Sequence, residues 1–298
     1  MATRKVWYTL SAVLMIASVV SFFTRGLNLG LDFTGGVSAH VTFAQVANID
    51  VLRSKLIAAG FHEPGVQNFG SSRDVVIRLP PDPSQSEATI RTKLETVVKS
   101  IDATAQVPQL EVVGPQVGNE LRTSAIWALT FTLLLIFLYI AFRFHTWRLS
   151  LGAILAVMHD PILVIGIFSV FQTEFDLPVV AAILAVIGYS LNDTVVMFDR
   201  IRERFETNRR LEPALVLDQS INQTLSRTIM TKVVTSIVVV ALIFLGGPVL
   251  KGFSVALMIG IIAGTYSSIY ISSAIALDCG LTAEHVFPSV KKAIDEMP

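Results

Sequence analysis

The sequence predicts a polytopic α-helical membrane protein with six transmembrane helices and a small α+β domain of ferredoxin-like type between the first and second. Three observations predict it. Of the 298 residues, 52% are hydrophobic and 15% charged, with a mean hydropathy of +0.63, which is too apolar for an ordinary water-soluble domain. Six runs are long and apolar enough to cross a bilayer, and a long segment of soluble composition separates the first two. That segment alternates between strand and helix periodicities.

A hydrocarbon core of about 30 Å needs about 20 apolar residues of helix. The runs are Val6 to Thr24, Ser124 to Phe142, Leu149 to Phe171, Leu177 to Phe198, Val233 to Leu250 and Phe253 to Leu277. The first follows Arg4 and Lys5 as a signal peptide would, but SVVSFFTRG lacks a small-x-small cleavage site, so it is expected to stay as an anchor. Arg143 and Arg148 flank the connection after span two. Six arginines, Arg200, Arg202, Arg204, Arg209, Arg210 and Arg227, crowd the one after span four. Those connections are expected in the cytoplasm, as are both ends of the chain, where Lys291 and Lys292 match Arg4 and Lys5. The opposite loops, QTEFD (Gln172 to Asp176) and GGPVLKG (Gly246 to Gly252), carry one basic residue between them.

The exported segment, residues 28–119, follows the cytoplasmic start and first span (1–27). It precedes spans two to six (120–278) and a cytoplasmic tail (279–298). Ser38 to Ala44 alternates like a half-buried strand, and Asn48 to Gly60 reads as a helix with a capping Asn and a terminating Gly. GVQNF and DVVIRL supply two middle strands, Ser84 to Ile101 a second helix, and QLEVVG (Gln109 to Gly114) the last strand. This order is that of a split βαβ fold, with both chain ends free to return to one side. His40 and His62 are isolated, and no nucleophile has an evident base. No glycine-rich phosphate loop joins a strand to a helix, so no enzyme activity, ATP site, metal or cofactor is expected. A net charge of zero gives no argument for nucleic acid. The lone Cys279 excludes an internal disulfide.

Ionisable groups inside spans are costly and need a partner, water or a function. Span four carries Asn192, Asp193 and Thr194, with Tyr189, Ser190, Asp193 and Met197 on one side of the helix. Asp193 is therefore expected to face the bundle, with Arg227, just before span five, as its partner. That pair reads either as a two-state element set by one proton or as a static ion pair. In span three His159 and Asp160 stand about 100° apart on the helix. Either one belongs to a polar path, or both serve packing beside Pro161, which frees a backbone carbonyl. Gly260 and Gly264 in span six have the spacing that lets helices approach closely.

These motifs resemble one family closely. GLDFTGG (Gly30 to Gly36, with Asp32, Gly35 and Gly36), GPQVG (Gly114 to Gly118), the His159–Asp160 pair, VIGYSLNDTVVMFDRIRE (Val186 to Glu203), QTLSRT (Gln223 to Thr228) and FLGGPVLKGFS (Phe244 to Ser254) look like those of the SecF family, the six-span subunits of bacterial SecDF complexes. The resemblance implies half of an RND-type bundle in the bacterial inner membrane, with a periplasmic domain. It implies pairing with SecD, and work with SecYEG, YajC, often YidC, and SecA on an exported preprotein. It also implies use of the proton-motive force, with transported protons and no cofactor, and ties Asp193 and Arg227 to proton conduction. Two other readings are an RND-type exporter of small molecules, disfavoured by the half bundle and small exported domain, and a scaffold subunit, which has no use for Asp193.

Overall fold

The computed structural model describes residues 1–287 apart from Ala2, Gly70, Pro83, Ser84 and His145; Lys291 and Lys292 of the expected tail lie outside the described residues. Six of its helices are long and apolar enough to cross a membrane, which makes the chain a polytopic helical membrane protein. They are α1 (Arg4–Arg25), then, after the short elements below, α5 (Pro115–Arg143), α6 (Trp147–Phe171), α7 (Leu177–Thr207), α8 (Pro213–Leu245) and the run Val249–Asp278. The last run covers α9 (Gly247–Tyr266) from its third residue, one π turn (Ser267–Ile271) and α10 (Ser272–Asp278), and a short α11 (Ala283–Val286) follows.

Two helices, α5 and α8, differ from the sequence reading in extent, for local reasons; α5 starts at Pro115, before its apolar run and within the segment read as the exported domain. Helix α8 starts twenty residues before its apolar run, because Pro213 at the first helical position after the extended Glu212 nucleates it there. It ends at Leu245, where Gly246 and Gly247 intervene and Gly247 adopts φ +71°. Helix α7 continues beyond its apolar run to Thr207. That extension is not left wholly to solvent: Arg143 Nη2 donates to both oxygens of Asp199 at 2.6 Å, and Arg200 Nε donates to Gln223 Oε1 at 2.6 Å.

The chain divides into two compact units, one formed by residues 1–27, 129–173 and 179–298, the other by 28–128 and 174–178. In the first, α6 is the central helix. Small residues bring its backbone against neighbours: Gly152 lies against the Ser272 carbonyl, Gly166 against Ser18, and Ser21 and Ser169 share a 2.9 Å hydrogen bond. Without water to drive helices together, such close packing and hydroxyl bonds are what hold a membrane bundle. Pro161 sits buried inside α6, and the helix runs through it.

In the second unit four strands, β2 (Gly36–Thr42), β3 (Gly65–Phe69), β4 (Ser71–Leu79) and β5 (Gln106–Val113), form an antiparallel sheet in the order β3-β4-β2-β5. Helices α3 (Ile49–Ala58) and α4 (Glu87–Lys99) share a core with it. Leu52, Leu56, Leu94 and Val98 meet Val37, Ala39, Val41, Val75 and Ile77 there; the alternation along β2 and β4 and the helical spacing in α3 and α4 select these faces. Asn48 Oδ1 caps α3 by accepting from the amides of Asp50 and Val51, and the Ser86 hydroxyl caps α4 by accepting from Thr89. Two further strands, β1 (Asn28–Leu29) and β6 (Glu174–Phe175), pair in parallel beside a single turn of helix, α2 (Leu31–Thr34).

Candidate functional site

Four helices of the first unit converge on a buried polar cluster. Along α7, Val186, Ser190, Asp193, Thr194 and Met197 are buried, a stripe at helical spacing that turns Asp193 inward. Tyr189 and Asn192 flank it and stay exposed. The cation facing Asp193 is Lys232 of α8: its ammonium lies 2.8 Å from Asp193 Oδ2, and the two side chains retain only 8% and 9% of their exposure. This is an ion contact whose angles fall outside hydrogen-bond geometry, so both atoms stay without a hydrogen-bond partner. The Lys232 ammonium also lies 6.0 Å from the centroid of the Tyr189 ring.

The expected partner, Arg227, does not take this place. It is exposed and, among the described residues, makes no ion pair. Five residues separate Arg227 from Lys232, about 140° around the helix, so a face that buries one turns the other outward. Sequence reasoning missed Lys232 because the apolar run of span five begins at Val233. The signal available was the Glu212–Pro213 helix start, which places Lys232 well inside α8.

Helix α6 contributes His159 and Asp160, both buried. His159 Nδ1 and Asp160 Oδ1 share a 3.0 Å contact, and the Ser267 hydroxyl donates to Asp160 Oδ2 at 3.0 Å. The His159 ring stands 5.7 Å from that of Tyr266, and its Nε2 is buried without a partner. Ser267 opens the π turn, an irregularity that re-aims side chains within a helix.

Gly264 of α9 occupies the centre of this arrangement. A Cβ there would stand 3.2 Å from Asp160 Oδ2, 3.5 Å from Ser190 Cβ and 3.7 Å from the Lys232 ammonium. The two glycines of the expected packing motif thus do different work. Gly260 lies against Val186 of α7, and any side chain there collides with it; Gly264 leaves the space in which the α6 carboxylate and the α8 ammonium face each other.

Among the described residues, the buried side-chain polar atoms without a hydrogen-bond partner are His159 Nε2, Ser190 Oγ, Asp193 Oδ2 and Lys232 Nζ. All four belong to this cluster. Asp193 Oδ2 and Lys232 Nζ are each other's ion partner, whereas groups such as His159 Nε2 and Ser190 Oγ are rarely left unpaired in native interiors. A cavity of about 470 Å³, lined by Tyr189, Asn192, Asp193, Thr231, Lys232 and Thr235 among others, adjoins the pair. The set holds two carboxylates, one ammonium and one imidazole, so it has room to take up a proton without leaving a net positive charge. No group of three His, Cys, Asp or Glu residues among the described ones is placed to hold a metal.

The signature glycines lie in the second unit. Gly35 and Gly36 have φ +68° and +121°, and a Cβ on Gly35 would be 3.0 Å from Pro115 Cα. Gly118 packs on the same turn, where a Cβ would stand 3.1 Å from the Gly35 amide nitrogen. Gly114 has open space around it. Gly30 and Asp32 meet the segment Glu174–Leu177.

Residues 93–282 match the family described as protein export membrane protein SecD/SecF, C-terminal, and residues 20–45 match the SecD/SecF GG motif. A protein translocase subunit SecF from Haemophilus influenzae is 48% identical, covering 100% of this chain and 91% of the relative, and one from Vibrio alginolyticus is 46% identical, covering 100% and 96%. The crystal structure of a Thermus SecDF, described as a translocon-associated membrane protein, aligns with a TM-score of 0.85 at 38% identity. This chain is covered to 94% and spans 38% of the length of that SecDF chain. A SecDF in a super-membrane-facing form aligns at the same identity and coverage with a TM-score of 0.69. With six spanning helices, a GG-motif turn and matches along its whole length, the chain belongs to the SecF family of protein translocase subunits.

Proposed function

We propose that this chain is the SecF partner in a proton-driven protein export complex of the bacterial inner membrane. It pairs with SecD and acts with SecYEG, YajC, YidC and SecA on preproteins at a late stage of their export. Both ends of the chain are cytoplasmic in this reading, and residues 28–119 form a periplasmic domain. The strand order and the alternation of strands with two helices support a ferredoxin-like fold for it. The chain acts as a transport subunit, not an enzyme; the proton is its only small substrate, and it has no ATP site or cofactor of its own.

The observation that carries the reading is the buried Asp193–Lys232 pair beside His159 and Asp160. Charges this deep in a bundle are expensive and mark ion pathways. Protonating Asp193 removes the charge that holds Lys232. The ammonium then has the carboxyl group of Asp160 nearby, across the space left by Gly264. Two arrangements of α6, α7 and α8 follow, selected by one proton. A charge crossing 100 mV is worth about 2.3 kcal/mol, enough to shift such an equilibrium more than about tenfold. Arg227 remains in the proposal as an exposed cation on the same helix, not as the partner of Asp193. The unequal similarity to two SecDF forms supports a family whose members change shape.

The test is gradient-dependent completion of preprotein export in inverted vesicles containing SecD, SecYEG and either the native chain or Asp193→Asn at equal abundance. The variant is expected to lose the gradient-dependent step while still assembling. Unchanged export would refute the coupling role.

A further inference from the structure

The QTEFD loop before span four reads in the sequence only as a connection without basic residues. In the structure its second half is built into the second unit. Four different interactions fasten it. Asn28 and Leu29 pair in parallel with Glu174 and Phe175, and the Gly30 amide donates to the Phe175 carbonyl at 2.8 Å. The buried rings of Phe33 and Phe175 stand 6.2 Å apart. Arg78, on β4, forms an ion pair with Glu174. Finally, Asp32 Oδ2 accepts a 2.9 Å hydrogen bond from the amide of Leu177, the first residue of α7.

That last bond joins residues 145 apart in sequence. It satisfies one of the amides that a helix leaves open at its start, and it places a carboxylate where the helix dipole favours one. Gly30 allows a close approach beside it, since a Cβ there would stand 3.1 Å from both Asp176 Cβ and Glu174 Oε1.

We infer that the Gly30–Gly36 turn is a clasp on the leading end of α7, and that Asp32 is a positioning residue for the helix that carries Asp193. The inference rests on the proton-coupling reading of Asp193. Sixteen residues separate Leu177 from Asp193, about 24 Å of continuous helix. A helix transmits displacement along its axis because every turn is hydrogen-bonded to the next. Movement of the clasped end therefore reaches the buried pair, and a change at the pair reaches the clasp. Without Asp32 the first turn of α7 frays, and the two ends of the helix no longer move together.

Two readouts on the full chain test this: hydrogen exchange of the peptide spanning residues 174–180 in nanodiscs, and gradient-dependent export in vesicles with SecD and SecYEG. Asp32→Ala is expected to speed exchange there by about fivefold, the usual weight of a lost cap, and to weaken the gradient-dependent step. Asp32→Asn keeps an acceptor oxygen and is expected to restore both. Unchanged exchange in Asp32→Ala, or faster exchange with full gradient dependence, overturns the clasp. Normal export by Asp193→Asn sinks the proton reading instead, whatever the Asp32 variants do.

Discussion

In the α+β unit, Asp74 accepts from the hydroxyls of Ser71 and Thr42, and Asp102 from the hydroxyl of Thr104 and the amides of Ala44 and Thr104. In the helical unit, Asp160 and Asp193 lie inside the bundle against His159, Ser267 and Lys232, with buried polar atoms left unsatisfied around them. The first pair of aspartates ties turns together in water, where a carboxylate costs nothing to keep ionised. The second pair is buried, where a carboxylate needs close partners. The same residue type therefore meets hydroxyls and amides near the surface in one unit, and a cation, an imidazole and a hydroxyl inside the bundle in the other.

Breaking the membrane pair should have the largest effect. Lys232→Met leaves Asp193 buried without its cation, a change that typically costs about 3 to 5 kcal/mol, and a lowered thermal midpoint of the purified chain would show it. Adding Asp193→Asn to Lys232→Met is expected to recover most of that loss while leaving export insensitive to the gradient. If the single variant is as stable as the native chain, the pair contributes little and the contrast between the two units collapses.

The two glycines of α9 sharpen the comparison within the helical unit. Gly264→Ala puts a methyl between the Asp160 carboxylate and the Lys232 ammonium. It is expected to cost about 1 to 3 kcal/mol and to depress gradient-dependent export more than assembly. Gly260→Ala meets Val186 and is expected to reduce folded yield first. Equal losses of yield and export in both variants would reduce Gly264 to a packing residue.

Smaller effects are expected in the α+β unit. Asn48→Ala removes the cap of α3 and should cost about 1 kcal/mol, seen as faster hydrogen exchange in Ile49–Ala58 with no change in export. Asp74 is held below the ordinary aspartate value of 3.8 by the hydroxyls of Ser71 and Thr42, and Asp102 by the Thr104 hydroxyl and then by backbone amides. A carboxylate whose folded value is lowered stabilises the fold above its unfolded value and loses that contribution as pH falls through the folded one. Exchange protection in the loops around 71–74 and 102–105 should therefore hold at neutral pH and decline below about pH 4. Protection that rises on acidification would contradict this.

What the sequence determined follows from local periodicity and composition. Six apolar runs fixed the number of spanning helices, and alternation marked β2. A capping Asn marked the start of α3, and a polar stripe at helical spacing turned Asp193 inward. Each of these depends on neighbours within a few residues, and a chain cannot hide them. Tertiary structure alone decided which cation faces Asp193. Each residue turns a helix by about 100°, so Arg227 and Lys232 lie on different faces of α8, and the rotation of α8, set by its packing, decides which of them faces Asp193. Tertiary structure also set Gly264 beside a carboxylate rather than in a helix seam, and closed Asp32 onto a helix start 145 residues away. Those pairings join segments distant in the chain, where close packing and the cost of buried charge, not local propensity, make the choice.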